Sequence, residues 1–270
     1  MSSVTEIRSM AGSEPITMLT AYDAPTARFV EDAGVDIILV GDSIGNVVLG
    51  HETTLPVSVD SMAEHTAAVS RATSDVLVVA DMPFLSVGVD KSESIRNCGR
   101  MLEEAGADAV KLECGPHTVE LTERLVDLGI PVMAHLGLTP QRVKQLGGFT
   151  RQGTTNEAAA EIEALASAHE EAGAFALVLE HVPENLGAHL TETLSIPTIG
   201  IGAGRDCDGQ VLVFHDVVGL SERTPPFAKP FGDVASELDD ALSSYVGAVK
   251  DGTFPEAQHS HTESDLDELY

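Results

Sequence analysis

Five successive apolar runs in this chain end in ionisable side chains. Asp42 follows IILVG, Asp81 closes VLVVAD, Lys111 and Glu113 lie in DAVKLE, His135 follows PVMA, and Glu180 closes FALVLE. Runs this short and apolar read as strands, whose side chains alternate between two faces. Lys111 and Glu113 therefore share one face, and Val110 and Leu112 the other. Taken singly, each residue has an ordinary structural reading. An aspartate after a strand caps the next helix, a histidine there is a satisfied core residue, and a glutamate marks the solvent boundary. Taken together they need a joint account, because four carboxylates and a lysine in one small space repel one another unless something neutralises them. Carboxylate oxygens without cysteine select a hard cation. Mg2+ takes one or two carboxylates and leaves the rest of its octahedron to water or substrate oxygens. Asp42, Asp81 and Glu113 are the candidate metal ligands, directly or through water, and Lys111 offers its charge to an anionic substrate.

The strand ends meet only if the fold brings them together. Eight apolar runs, at 16–20, 36–41, 76–81, 108–113, 131–136, 175–180, 197–202 and 210–216, alternate with stretches of helical spacing such as ESIRNCGRMLEEAG and EAAAEIEALASAHEEAG. Continuous apolar character suits parallel strands buried on both faces. EDAGVD, EEAGAD and EEAGAF place Gly34, Gly106 and Gly173 where a helix stops before the next strand, and Gly129 in VDLGIP is a looser copy. A strand and helix repeated eight times over about 250 residues predicts a (β/α)8 TIM barrel, whose active site lies at the C-terminal strand ends. A doubly wound sheet is the alternative, but no GxGxxG follows the first strand, and GIGAG at Gly200 comes late without an obvious helix after it. The spacing predicts a short helical lead-in over 1–14, a single barrel domain over 1–250, and a polar, acidic, mobile tail over 251–270.

Composition limits the partners. The chain has 270 residues, 43% of them hydrophobic, and a net charge of −28, which repels nucleic acid and anionic membrane surfaces. No apolar run approaches a membrane span, and MSSVTEIRSM lacks a secretory pattern, so a cytoplasmic protein is expected. Cys98, Cys114 and Cys207 are widely spaced and read as free thiols. The acids are spread along the whole chain, as on the surfaces of proteins from salt-loaded cytoplasms, where screening tolerates dense charge.

Several longer segments occur in one order: TAYDAPTA, LVGDSIGNVVLGHETTLPV, HTAAV, ADMPF, VKLE, AHLGLTPQ, GGF with a following QG, VLE with VP, and IGIGAG with DGQVLVFHD. From about Thr17 to Pro255 the chain resembles the ketopantoate hydroxymethyltransferase family. The resemblance implies a Mg2+-dependent barrel enzyme of pantothenate and coenzyme A biosynthesis. Such an enzyme transfers a one-carbon unit from 5,10-methylenetetrahydrofolate, or a modified pterin, to 3-methyl-2-oxobutanoate through a metal-chelated enolate, giving 2-dehydropantoate. It further implies Asp42, Asp81 and Glu113 at the metal, Asp42, Ser43, Asp81 and Lys111 at the ketoacid, and Glu180 as proton acceptor. His135 matches a family position and is a further substrate-binding candidate. The family assembles as a homo-oligomer, a ring of about ten subunits.

Some positions depart from the pattern or carry no role. Thr150 and Arg151 follow GGF where relatives often carry a lysine and an apolar residue, leaving that loop's contacts open. Cys114 follows the metal glutamate where glycine is common and reads as a small buried filler, since nothing in the chemistry needs a nucleophile. IGIGAGRDCDGQ reads as a structural turn beside the site, and His51 carries no assigned chemistry. The alternative function is a Mg2+-dependent 2-oxo acid lyase or mutase of the phosphoenolpyruvate mutase type, which usually places a nucleophilic cysteine or similar group on a mobile lid. A non-enzymatic acidic metal-binding scaffold would bind Mg2+ indifferently to ketoacid.

Overall fold

The apolar runs form strands close to where the sequence places them, in a computed structural model that describes residues 2–263. The strands are β1 (Ile16–Thr20), β2 (Ile37–Val40), β3 (Leu77–Asp81), β4 (Ala109–Glu113), β5 (Val132–Gly137), β6 (Ala176–Glu180), β7 (Thr198–Ile201) and β8 (Gly209–Leu212). They pair in sequence order as a closed parallel barrel, β8 returning to β1. The helices are α1 (Val4–Ser9), α2 (Ala24–Asp32), α3 (Ile44–Val47), α4 (Val59–Ser70), α5 (Lys91–Glu103), α6 (Val119–Asp127), α7 (Val143–Leu146), α8 (Asn156–Glu171), α9 (Glu184–Thr193), α10 (Phe214–Val218) and α11 (Val234–Lys250). The TIM barrel expectation is met. Gly34, Gly106 and Gly173 all take positive φ after their helices.

Two details differ from the sequence reading. The eighth run stops being a strand at Leu212; Phe214 donates its backbone N–H to the Thr20 side chain at 2.9 Å, and the chain turns into α10. No helix separates β7 from β8. Residues 202–208 instead return along β7, where Cys207 Sγ lies 3.1 Å from a Cβ built on Gly200 and Asp208 accepts the Thr198 backbone N–H at 2.8 Å.

Alternation along the strands separates two cores. Ile38, Val40, Val78, Ala80, Val110, Leu112, Val132, Ala134, Leu177 and Leu179 point outward to a core shared with helix residues such as Met62, Met101, Leu125 and Leu190. Ile16, Met18, Ile37, Leu39, Leu77, Val79, Ala109, Met133, Ala176, Val178, Ile199 and Val211 fill the barrel, with Ile7 of α1 buried among them. Full burial of one such side chain stabilises by about 1.5–3 kcal/mol, so both faces of each strand are strongly specified. The inward series then changes character at its end: Leu77 and Val79 lead to Asp81, Ala109 to Lys111 and Glu113, Met133 to His135, and Ala176 and Val178 to Glu180.

Contacts divide the described residues into two compact units. The first, which contains the barrel, runs through Phe214 and takes in Pro225–Ala228. The second comprises His215–Thr224 and the chain from Lys229 onward. In it, Asp233 caps α11 by accepting the Ser236 backbone N–H, and no residue of α11 is buried. The Phe254 ring meets Tyr245 edge-on at 5.9 Å and His259 at 5.4 Å. The expected tail over 251–270 contains a 3-10 turn at Ala257–His259, and its last seven positions lie outside the described residues.

Candidate active site

Strand register sets the levels of the polar residues. Asp81 pairs with Lys111, Glu113 with His135, and Gly137 with Glu180. Lys111 Nζ lies 2.8 Å from Asp81 Oδ1, an ionic contact outside the directional range of a hydrogen bond. The same ammonium is 3.3 Å from His135 Nδ1. On the other edge of that ring, Nε2 is 3.3 Å from Glu180 Oε2, again without hydrogen-bond geometry. Thus Asp81, Lys111, His135 and Glu180 form a continuous line across the four strands β3 to β6. Asp42, just beyond β2, donates its backbone N–H to Asp81 Oδ2 at 3.3 Å. Ser43 Oγ lies 2.8 Å from the Tyr22 hydroxyl. The structure brings together all of Asp42, Asp81, Lys111, Glu113, His135 and Glu180, with Ser43 adjoining Asp42.

The environment shifts their protonation in specific directions. Burial raises the Asp81 carboxyl to about 7, with Lys111 opposing and Asp42 adding to the shift. Burial, helped by the Asp42 charge, holds Glu113 well above the usual carboxylate range. Burial alone would push the Lys111 ammonium down, but Asp81, Asp42 and Glu113 outweigh it and keep the lysine charged. Burial and the Lys111 charge hold His135 neutral, well below the ordinary imidazole range. Glu180 is raised to about 7 by burial, against the opposing pull of Lys111 and His181. The cluster is acidic, buried and short of positive charge.

Two buried polar atoms, Glu113 Oε2 and His135 Nε2, have no hydrogen-bond partner, while Asp81 Oδ1 is met only by the Lys111 charge. Such atoms cost about 1–3 kcal/mol each unless a ligand completes them. The all-oxygen carboxylate set fits a hard cation. Among the described residues, no three His, Cys, Asp or Glu side chains lie close enough to enclose an ion by themselves. The set therefore suits an ion that takes one or two carboxylates and fills its octahedron with water and substrate oxygens.

Two participants carried no signal in the strand pattern. Gln141, in a 3-10 turn after β5, donates its side-chain amide to Asp42 Oδ2 and Met82 O, each at 2.9 Å, and its backbone N–H to Glu113 Oε1 at 3.1 Å. It straps the ends of β2, β3 and β4 together from a loop, where periodicity says nothing. Tyr22, two residues past β1, is buried and reaches Ser43. Cys114 is a buried thiol whose burial pushes it up to about 12, and its Sγ donates to Leu112 O at 3.2 Å. It behaves as the expected filler.

A closed parallel barrel with acidic strand ends places the chain in a recognisable structural class. It superposes on phosphonopyruvate hydrolase in complex with oxalate and Mg2+ with a TM-score of 0.62 at 13% identity, covering 98% of this chain and 93% of that one. A phosphoenolpyruvate phosphomutase from Streptomyces platensis gives 0.61 at 15%, covering 99% and 94%. At these identities the likeness is one of fold. Sequence is more specific: the model of the family described as ketopantoate hydroxymethyltransferase matches residues 2–257. The chain is 67% identical to 3-methyl-2-oxobutanoate hydroxymethyltransferase of Haloarcula marismortui over the full length of both proteins. It is 66% identical to that of Halobacterium salinarum, covering 96% and 94%, and 51% identical to that of Geobacter sulfurreducens, covering 95% and 97%. The chain belongs to the ketopantoate hydroxymethyltransferase family.

Proposed function

We propose that this protein transfers a one-carbon unit from 5,10-methylenetetrahydrofolate to 3-methyl-2-oxobutanoate, giving 2-dehydropantoate. Overall, C3 of the ketoacid exchanges a proton for CH2OH, the hydroxyl comes from water, and tetrahydrofolate is released. The observation that carries this reading is the convergence of the inward strand ends on one buried, acidic cluster in which Glu113 Oε2 and His135 Nε2 have no hydrogen-bond partner. Asp42, Asp81 and Glu113 would hold Mg2+, directly or through water; when bound, the ion acidifies the C–H beside the keto group by stabilising developing negative charge.

The residues of the chain do the rest. Lys111 offers its fixed positive charge to the ketoacid, and Ser43, held by Tyr22, offers a hydroxyl beside it. Glu180 removes the C3 proton: raised to about 7, it is a stronger base than an ordinary carboxylate yet still ionised at mildly alkaline pH. His135, neutral and between Lys111 and Glu180, is a substrate-binding candidate. Glu180→Gln is expected to keep Mg2+ and ketoacid binding while abolishing exchange of the C3 proton with solvent deuterium. Unchanged exchange in that variant removes Glu180 from the role.

Relatives from halophilic archaea and the chain-wide acidity support a salt-loaded cytoplasm as its setting; no helix among the described residues is long and apolar enough to cross a membrane. We also propose a homo-oligomer built on α11. Val234, Leu238, Leu242, Tyr245, Val246 and Val249 recur at helical spacing and are all exposed, a stripe suited to a second copy of this chain.

A further inference from the structure

Beside the catalytic wall lies a cleft of about 620 Å3, lined among others by Arg151, Val182, Pro183, Gly204, Arg205 and Phe227. It starts at Val182, two residues beyond Glu180, so the cleft and the proposed base share the end of β6. The link between them is built. His181, between Glu180 and Val182, has a left-handed backbone with φ +48, and its ring lies 5.3 Å from that of Phe227. Phe227 in turn rests on Gly202, φ +65, where a Cβ would come within 2.9 Å of the ring. The turn IGIGAG thus leaves its side-chain space to the cleft. Gln152 donates its backbone N–H to His181 O at 3.0 Å, which fixes Arg151 at the rim.

The two arginines stand out on charge grounds. In a chain with 15 basic residues and a net charge of −28, cations without strong partners near a buried acidic pocket are not surface filler. Among the described residues Arg151 makes no ion pair, and the ion pair of Arg205 is with Glu184, at 3.5 Å between two exposed side chains. After burial, the Arg151 charge is the next cause that holds the His181 imidazole below its ordinary value. An open cleft that joins guanidinium groups, an aromatic wall and the β6 end suits a long ligand, apolar along its length and anionic at its far end.

We propose that this cleft binds the carboxylate-bearing tail of the one-carbon donor, with Arg151 and Arg205 as its recognition residues and the Phe227 ring as its apolar wall. The inference rests on the reading of the barrel mouth given above and adds how the donor is selected. Arginine suits the task, because its planar fork grips carboxylates by contact. At roughly 1 M salt the Debye length falls to about 3 Å, so long-range attraction is lost and contact recognition remains. Glu184 pairs loosely with Arg205 at the rim of the cleft, and a tail carboxylate takes its place.

Isothermal titration with tetrahydrofolate monoglutamate and triglutamate, at high KCl, tests this on the wild type and the R151Q/R205Q double variant. The wild type is expected to bind the triglutamate about tenfold more tightly, a preference of the size that charge-assisted contacts give. The double variant should bind both forms weakly and equally. Deuterium exchange at C3 of the ketoacid, run with Mg2+ and no donor, should be unchanged in the variant, which also reports that it is folded. A wild type without tail-length preference, or a variant that keeps it, overturns the inference while exchange leaves the barrel-mouth reading standing. Absence of exchange in the wild type removes that reading and this inference with it.

Discussion

In its proposed role, Glu180 must be basic enough to take a carbon-bound proton and still be ionised when it does so. Its burial sets a compromise at about 7, against the opposing pull of Lys111 and His181. The base is active as carboxylate and is lost as pH falls through that value, so C3 exchange should fall about tenfold per pH unit below pH 7 and level off above it. Stopped-time NMR of the exchange across pH measures this; a flat profile through 7 argues against Glu180. Glu113 bears the opposite burden. Its carboxyl is raised in the folded chain, so the folded state holds the proton more tightly than the unfolded one, and stability falls as pH rises above the ordinary glutamate range. Glu113→Gln should therefore melt higher than the wild type at alkaline pH without Mg2+. The gain is roughly 2–4 °C for each kcal/mol, and it disappears as pH falls toward about 4.3. Calorimetry with and without Mg2+ checks this, and a variant that melts lower throughout would contradict it.

At the scale of elements, the position of the proposed base depends on a glycine. Gly137 ends β5 with φ +96, and a Cβ there would lie 2.2 Å from Glu180 O and 2.8 Å from Val182. Backbone cannot give way as a flexible side chain does, so Gly137→Ala should cost on the order of 3 kcal/mol and displace the end of β6. Thermal melting and C3 exchange should both fall, whereas stability loss with full exchange per folded molecule would show that Glu180 is placed by other contacts. The strands and this convergence were legible because alternation and burial act locally: Leu77, Val79 and Asp81 are one inward series, and the sequence states their order directly. Gln141 and Arg151 were not assigned because they sit in the connection after β5, where loop geometry rather than periodicity decides what a side chain meets. The missing helix between β7 and β8 left a faint trace, a glycine-rich GIGAGRDCDG with no helical spacing. The short eighth strand left none, since VLVF is equally apolar whether it continues as ladder or turns.

For the whole molecule, net charge and the α11 stripe pull in opposite directions. Each 28.4 kDa chain carries −28, so copies repel unless salt screens them, while exposed Leu242 and Tyr245 favour burial against another copy. The protein should sediment as an assembly at high salt and as smaller species when salt is lowered. Leu242→Glu should lower the mass at every salt concentration, and an unchanged mass would remove α11 from the interface. The packed interior has a different consequence. Ile7 shares one packed core with the inward strand residues, so the barrel is filled with side chains beneath its ionisable strand ends. A filled barrel leaves the strand-end side as the way in, so under the proposed function the small ketoacid would enter ahead of the bulkier donor.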